Sequence, residues 1–163
     1  MKAAKIIFAV FIIALLIFSI WFCLPKNADT LLGGGEINSF SAIAIQNVFI
    51  YDGETAETRH DVWKADYETN TEETAAQLAE ILSSSRYRPM LKTLSQPNQF
   101  ELNGEYSIDL ALVMSDGSTR IIYFMGDDLV LLSSSPFNLI LRPTDKEVCT
   151  RLAEFIKEIG QQS

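Results

Sequence analysis

The N-terminal apolar run constrains this chain more than any other feature. The nineteen residues from Ile6 to Leu24 contain one polar side chain, that of Ser19. An α-helix rises about 1.5 Å per residue, so a helix of this length spans roughly 28 Å, close to the thickness of a bilayer's hydrocarbon core. The run therefore predicts a transmembrane helix within an anchor of residues 1–26.

The residues at the end of this run argue against its removal. The apolar part of a secretory signal is usually about 7–15 residues long and ends at a site of small residues. Here Trp21 and Phe22 precede Cys23, and they are bulky. A lipoprotein signal also requires small residues immediately before its cysteine. We therefore expect the helix to be retained and Cys23 to carry no lipid.

The charges that flank the run predict its orientation. Lys2, Lys5 and the terminal amine precede it, whereas Lys26 alone follows it closely. Cytoplasmic flanks of membrane helices carry the excess of Lys and Arg, so the N-terminus is expected in the cytoplasm and residues 27–163 outside. The predicted localisation is thus the cell membrane, with a single pass. Trp21 and Lys26 are the expected membrane-interface residues, because aromatic rings and cations favour headgroup depth.

The part after the anchor is strongly acidic. The chain has a formal net charge of −8, and residues 27–163 hold ten basic and 21 acidic residues, a net charge of −11. This excess repels phosphate backbones, so nucleic-acid binding is not expected. It also disfavours anionic lipid head groups, which predicts that the membrane contact is made by the N-terminal helix alone.

Composition divides the remaining chain into a flexible linker, 27–41, and a domain, 42–163. The linker assignment rests on a mixture of Asn, Asp and Ser with three consecutive glycines, Gly33 to Gly35. A length of about 120 residues suffices for one domain with its own core. Only two cysteines occur, so packing rather than a disulfide framework is expected to hold this domain together.

Hydrophobic periodicity predicts an α+β domain. Strands are expected over 42–51 and 59–68, and alternation over 105–142 with turns such as Asp116-Gly117 predicts an antiparallel meander. Two helices are expected, one capped by Asn70 and Glu73, the other capped by Thr144 and Glu147 and ended by Gly160. The predicted architecture is an antiparallel sheet of about four to six strands, packed on one face by two helices.

The order of these segments carries a resemblance. An apolar anchor, a meander with Asp-Gly turns and a final helix that begins TDKEVCTRL resemble the layout of small membrane-anchored extracytoplasmic proteins of Gram-positive bacteria. The resemblance implies an α+β domain displayed outside the membrane. It implies no catalytic residues, and the absence of a lipobox separates this chain from relatives carried as lipoproteins.

No pattern for catalysis or metal binding stands out. His60 is the single histidine, and no Gly-x-Ser-x-Gly motif supplies a nucleophile for it. One histidine without paired thiols does not make a zinc site, and Asp127 and Asp128 follow Gly126 in a predicted turn, where Asp is favoured by backbone geometry. We therefore assign no catalytic residue, no metal ligand and no cofactor.

A basic and aromatic cluster is the candidate binding site. Three cations and one aromatic ring surround Pro89, and an aromatic pair lies upstream; the residues are Arg86, Tyr87, Arg88 and Lys92, with Trp63 and Tyr67. In so acidic a chain the cations are a candidate site for an acidic partner or an anionic wall polymer. The alternative is that they neutralise the surface and the C-terminus of the preceding helix. The aromatic pair is either an exposed docking pair or part of the core.

These observations favour a membrane-anchored extracytoplasmic binding or accessory module that acts on an envelope protein or a wall polymer. One alternative is an envelope hydrolase that uses carboxylates, which requires a cleft holding two acids. Another is a subunit of a membrane assembly that packs through the N-terminal helix.

Overall fold

The computed structural model describes residues 2–51, 56–90, 105–133 and 138–163. The chain begins with the helix α1 (Lys2–Cys23). Within it, the segment Ile6–Cys23 is long and apolar enough to cross a membrane, and none of it is buried against the rest of the chain. The side chain of Ser19 donates a hydrogen bond to the carbonyl oxygen of Leu15 (2.8 Å), so its hydroxyl is satisfied within the helix.

The segment that follows α1 differs from the flexible linker predicted over 27–41. Lys26 and Tyr87 exchange two backbone hydrogen bonds of 2.8 and 2.7 Å. A short helix, α2 (Asp29–Leu32), then inserts Leu31, which has no exposed surface. Gly33 ends this helix in the left-handed conformation (φ 68°), and strand β1 begins at Ile37. The sequence did not predict α2, because its two adjacent leucines stand among polar residues and are too few to show a helical period.

Within the described residues the sheet has eight antiparallel strands, which confirms the α+β class and the antiparallel pairing but exceeds the predicted four to six strands. Their bounds are β1 (Ile37–Tyr51), β2 (Ala56–Ala65), β3 (Tyr87–Pro89), β4 (Tyr106–Met114), β5 (Thr119–Met125), β6 (Leu129–Ser133), β7 (Leu139–Pro143) and β8 (Gln161–Gln162). The spatial order is β3-β7-β6-β5-β4-β1-β2-β8. Strands β3 and β8 have three and two residues. Such short strands carry no alternating pattern, which is why their number was predicted too low.

The helix α3 (Glu72–Ser83) is capped differently from the prediction. Its N-cap is Thr71, whose hydroxyl accepts from the backbone N–H of Thr74 (3.2 Å) while the Thr74 hydroxyl accepts from that of Thr71 (2.9 Å). The Asn70 amide instead donates to the backbone carbonyl oxygen of Phe40. Asn70 therefore ties the start of the helix to β1, and the predicted box with Glu73 is wrong by one position.

The helix α4 (Glu147–Ile159) also lacks its predicted capping box. The backbone N–H of Glu147 donates to Asp145 Oδ1 (3.0 Å), whereas the hydroxyl of Thr144 accepts from the backbone N–H of Arg86 (3.2 Å). Thr144 thus joins α4 to the edge of the sheet. The C-terminal end agrees with the prediction, since the N–H of Gly160 donates to the carbonyl oxygen of Ile156 (2.8 Å).

Helices α3 and α4 cover one face of the sheet and form a single core with it. The core joins the apolar stripes of both helices, α2 and alternate residues of the strands, among them Leu31, Phe40, Leu78, Leu110, Phe124 and Leu152. Because side chains alternate along a strand, the other residues of the same strands lie on the opposite face. No helix among the described residues covers the centre of that face, and the candidate site lies there.

Candidate functional site: the open face of the sheet

The open face is the sheet surface opposite α3 and α4. It combines apolar and polar side chains, most of them half-buried: Ile43, Ile45, Asn47, His60, Val62, Ser107, Asp109, Ile121, Tyr123, Met125 and Leu131. The alternation that buries Ile108 and Leu110 on the core side of β4 directs Ser107 and Asp109 to this side. Ile121 is 38% exposed, which leaves apolar surface accessible to water at the centre of the sheet.

A groove of about 550 Å³ runs across this face. The strand register places the lining residues side by side across the sheet: Ile45 pairs with both Val62 and Ser107, and Ser107 pairs with Met125. The lining is predominantly apolar and is completed by Tyr123 and Leu131, with a few polar groups. An apolar lining with few polar groups is typical of a binding site, in which burial supplies affinity and polar groups supply orientation.

Two polar features distinguish the groove. His60 Nδ1 lies 2.8 Å from Asn47 Oδ1, across the β1–β2 pair. With the amide oxygen as acceptor, Nδ1 donates and the imidazole is held in one orientation. Asp109 lies between its cross-strand neighbours Ile43 and Tyr123, and burial raises the pKa of its carboxyl group. Desolvation disfavours the charged form, so this carboxylate gains from a hydrogen-bond donor or a cation brought by a ligand.

The composition of the groove bears on catalysis. Among the described residues that line it, Asp109 is the one carboxylate, whereas glycoside hydrolysis by carboxylates uses a pair. The described parts of the chain also hold no group of three or more metal-ligating side chains.

The structure separates the members of the predicted basic cluster. Tyr87 has no exposed surface, its hydroxyl donates to the carbonyl oxygen of Leu82 (2.8 Å), and burial raises the pKa of its phenol. Tyr87 is thus a core residue and does not present its ring to a ligand. Arg86 and Arg88 are exposed on either side of it, and Lys92 lies outside the described residues.

The predicted aromatic pair is also divided. Trp63 packs against the core, and the Lys157 ammonium lies 4.4 Å from the centre of its ring and 4.5 Å from that of Tyr106. Lys157 further donates to Gln46 Oε1 (2.8 Å). Tyr67 lies in a short 3₁₀ turn and is 46% exposed. Sequence reasoning missed Lys157 because its two rings come from different strands.

The two predicted interface residues do meet. The Lys26 ammonium lies 3.7 Å from the centre of the Trp21 ring and 3.4 Å from the Trp21 carbonyl oxygen. The cation therefore turns back onto the last turns of α1. Nearby, Cys23 is a half-buried free thiol, whereas Cys149 is a buried free thiol in the core.

The open face itself was not singled out from sequence. Alternation shows that each strand has two faces, but it does not show which face the helices cover. The groove is also lined by residues of five strands, which only the fold brings together.

Comparison of the chain with protein-family models, with curated proteins and with solved structures gave no match. Fold and groove together define the class: an α+β domain with an apolar N-terminal helix and a partly apolar sheet face whose centre none of the described helices covers.

Proposed function

We propose that this protein is a single-pass membrane-anchored module that binds an apolar segment of another envelope protein through the open face of its sheet. In this proposal α1 is the anchor, the N-terminus is cytoplasmic and the domain lies outside. The observation that carries the proposal is the groove of about 550 Å³, whose lining is apolar and whose one described carboxylate is Asp109. Burial of apolar surface would supply the affinity.

The charge of the site supports a protein ligand over an anionic wall polymer. Asp109 would repel phosphate or carboxylate groups, and the net charge of −11 over residues 27–163 acts in the same direction. A ligand with alternating apolar side chains and one Lys or Arg matches the groove better, because its cation would pair with Asp109. The sheet face thus selects for an apolar and cationic peptide segment.

The proposal is tested with the full chain in lipid nanodiscs and a random peptide library displayed on phage. The expected result is enrichment of peptides that combine apolar residues with a Lys or Arg. Their affinity should fall at least ten-fold on Leu131→Lys, which removes an apolar side chain from the groove and places there a cation that repels the cation of the peptide. Asp109→Asn should weaken only those peptides that carry the cation.

A matched control changes charge outside the groove. Glu154 is exposed on α4, on the opposite side of the molecule, and Glu154→Gln removes one carboxylate as Asp109→Asn does. This control should leave peptide affinity unchanged. Selection of no peptide above empty nanodiscs, or equal binding by the Leu131→Lys protein, would refute the proposed role of the open face.

A further inference from the structure

Three exposed arginines lie together at one edge of the sheet. Arg88 on β3 pairs directly with Arg142 on β7, and Arg86 continues the same ladder opposite Thr144. Residues that face each other across an antiparallel pair project to the same side of the sheet. The edge arginines, Arg86, Arg88 and Arg142, therefore form one cluster, which the sequence did not reveal because Arg142 is 54 positions after Arg88.

These charges are not neutralised by the described residues around them. Two carboxylates at the start of α4, those of Asp145 and Glu147, pair with Arg151 at 2.5 and 3.9 Å. None of the edge arginines takes part in an ion pair within the parts of the chain that the structure describes. Like charges directly opposite each other across strands are unfavourable. A bound anion would therefore relieve the repulsion between Arg88 and Arg142.

The same edge is the one attached to the apolar helix. Lys26 pairs with Tyr87, the residue between Arg86 and Arg88, and it follows the last residue of α1 by three positions. Three residues span at most about 11 Å, and adjacent strands lie about 5 Å apart. With the Lys26 ammonium held on the Trp21 ring, this edge has little freedom to move away from the end of α1.

We propose that the edge arginines bind the phosphate groups of anionic lipids in the membrane that holds α1. The proposal rests on α1 being a membrane anchor, as proposed above, and adds a second contact between the protein and the bilayer. It reverses, for this edge, the expectation from net charge that the helix alone contacts the membrane. Tertiary structure gathers three cations near the end of α1, where the chain would leave the bilayer.

The size of the effect follows from the attraction of basic residues to an anionic surface. Each Arg near such a surface favours association by roughly five-fold. Removing the directly paired arginines should therefore reduce the preference for anionic lipid by about 25-fold.

The test uses the full chain reconstituted in vesicles with equal phosphatidylglycerol and phosphatidylcholine. Native mass spectrometry then measures the ratio of the two lipids that remain bound. We expect phosphatidylglycerol to predominate on the wild-type protein and its excess to fall by about 25-fold in Arg88→Gln/Arg142→Gln. The matched control, Arg59→Gln/Lys64→Gln, removes two exposed cations from β2 near the opposite edge and should change the ratio less than two-fold.

The outcomes separate the possible failures. Equal lipid ratios for wild type and Arg88→Gln/Arg142→Gln, or an equal loss in the control, would overturn the lipid site. Carbonate extraction of wild-type membranes tests the anchor by itself, since release of the chain would refute the anchor on which the proposal rests. Retention on a soluble glycerol-phosphate polymer that depends on the edge arginines, without a change in lipid ratio, would overturn the lipid assignment in favour of a wall polymer.

Discussion

Replacing Leu31 by alanine gives the sharpest test of how the domain joins α1. Leu31 has no exposed surface and packs within the core, although it lies in the segment predicted to be a flexible linker. Truncation of a buried leucine costs about 2–5 kcal/mol, from lost burial and from the cavity left behind. A loss of about 3 kcal/mol corresponds to a change of roughly 160-fold in the folding equilibrium. In a flexible linker the same change would cost less than about 0.5 kcal/mol.

Urea unfolding of the full chain in detergent measures this loss. The chain has two tryptophans, and Trp21→Phe leaves Trp63 as the single tryptophan, whose fluorescence reports on the domain. With a slope of about 2 kcal/mol per molar urea, Leu31→Ala should lower the unfolding midpoint by about 1.5 M.

Leu24→Ala is the matched control, because Leu24 is 52% exposed and lies before α2. It should shift the midpoint by less than about 0.3 M. An equally small shift for Leu31→Ala would refute the placement of α2 in the core and would favour the predicted flexible linker over 27–41.

Three further predictions concern side chains in the described parts of the fold. Lys157→Met should lower the free energy of unfolding by about 1–2 kcal/mol, since it removes a cation from two aromatic rings, and Lys157→Arg should retain part of this stability in the same urea assay. Gly33→Ala should cost at least about 1–2 kcal/mol, because φ is +68° and a Cβ would overlap the Arg120 guanidinium; Gly34→Ala, also at positive φ but in open space, should cost less. Burial raises the pKa of Cys149 from near 9 to about 12, so the fold favours the neutral thiol. That contribution is complete below pH 9 and is lost as the pH rises towards 12, so unfolding titrations over this range should show a steeper loss of stability for wild type than for Cys149→Ala.

The fold divides the predicted basic cluster around Pro89. The exposed positions of Arg86 and Arg88 agree with a surface role, but Tyr87 between them is in the core. Alternation along a strand requires this division, yet a three-residue strand is too short to reveal it before the fold is known. Arg142 became a neighbour only through pairing of β3 with β7.

The sequence by itself determined the local features of this protein. The long apolar helix, the acidic domain, the meander and the buried stripe of α4 each depend on residues close together in the chain, because helices and strands have short periods. Tertiary structure alone decided which sheet face α3 and α4 cover, which residues line the groove, and that Leu31 enters the core. It also decided that Lys157 lies beside the rings of Trp63 and Tyr106 and that three arginines meet near the end of α1. These features depend on pairing between distant strands, which is governed by the packing of the whole domain rather than by any local pattern.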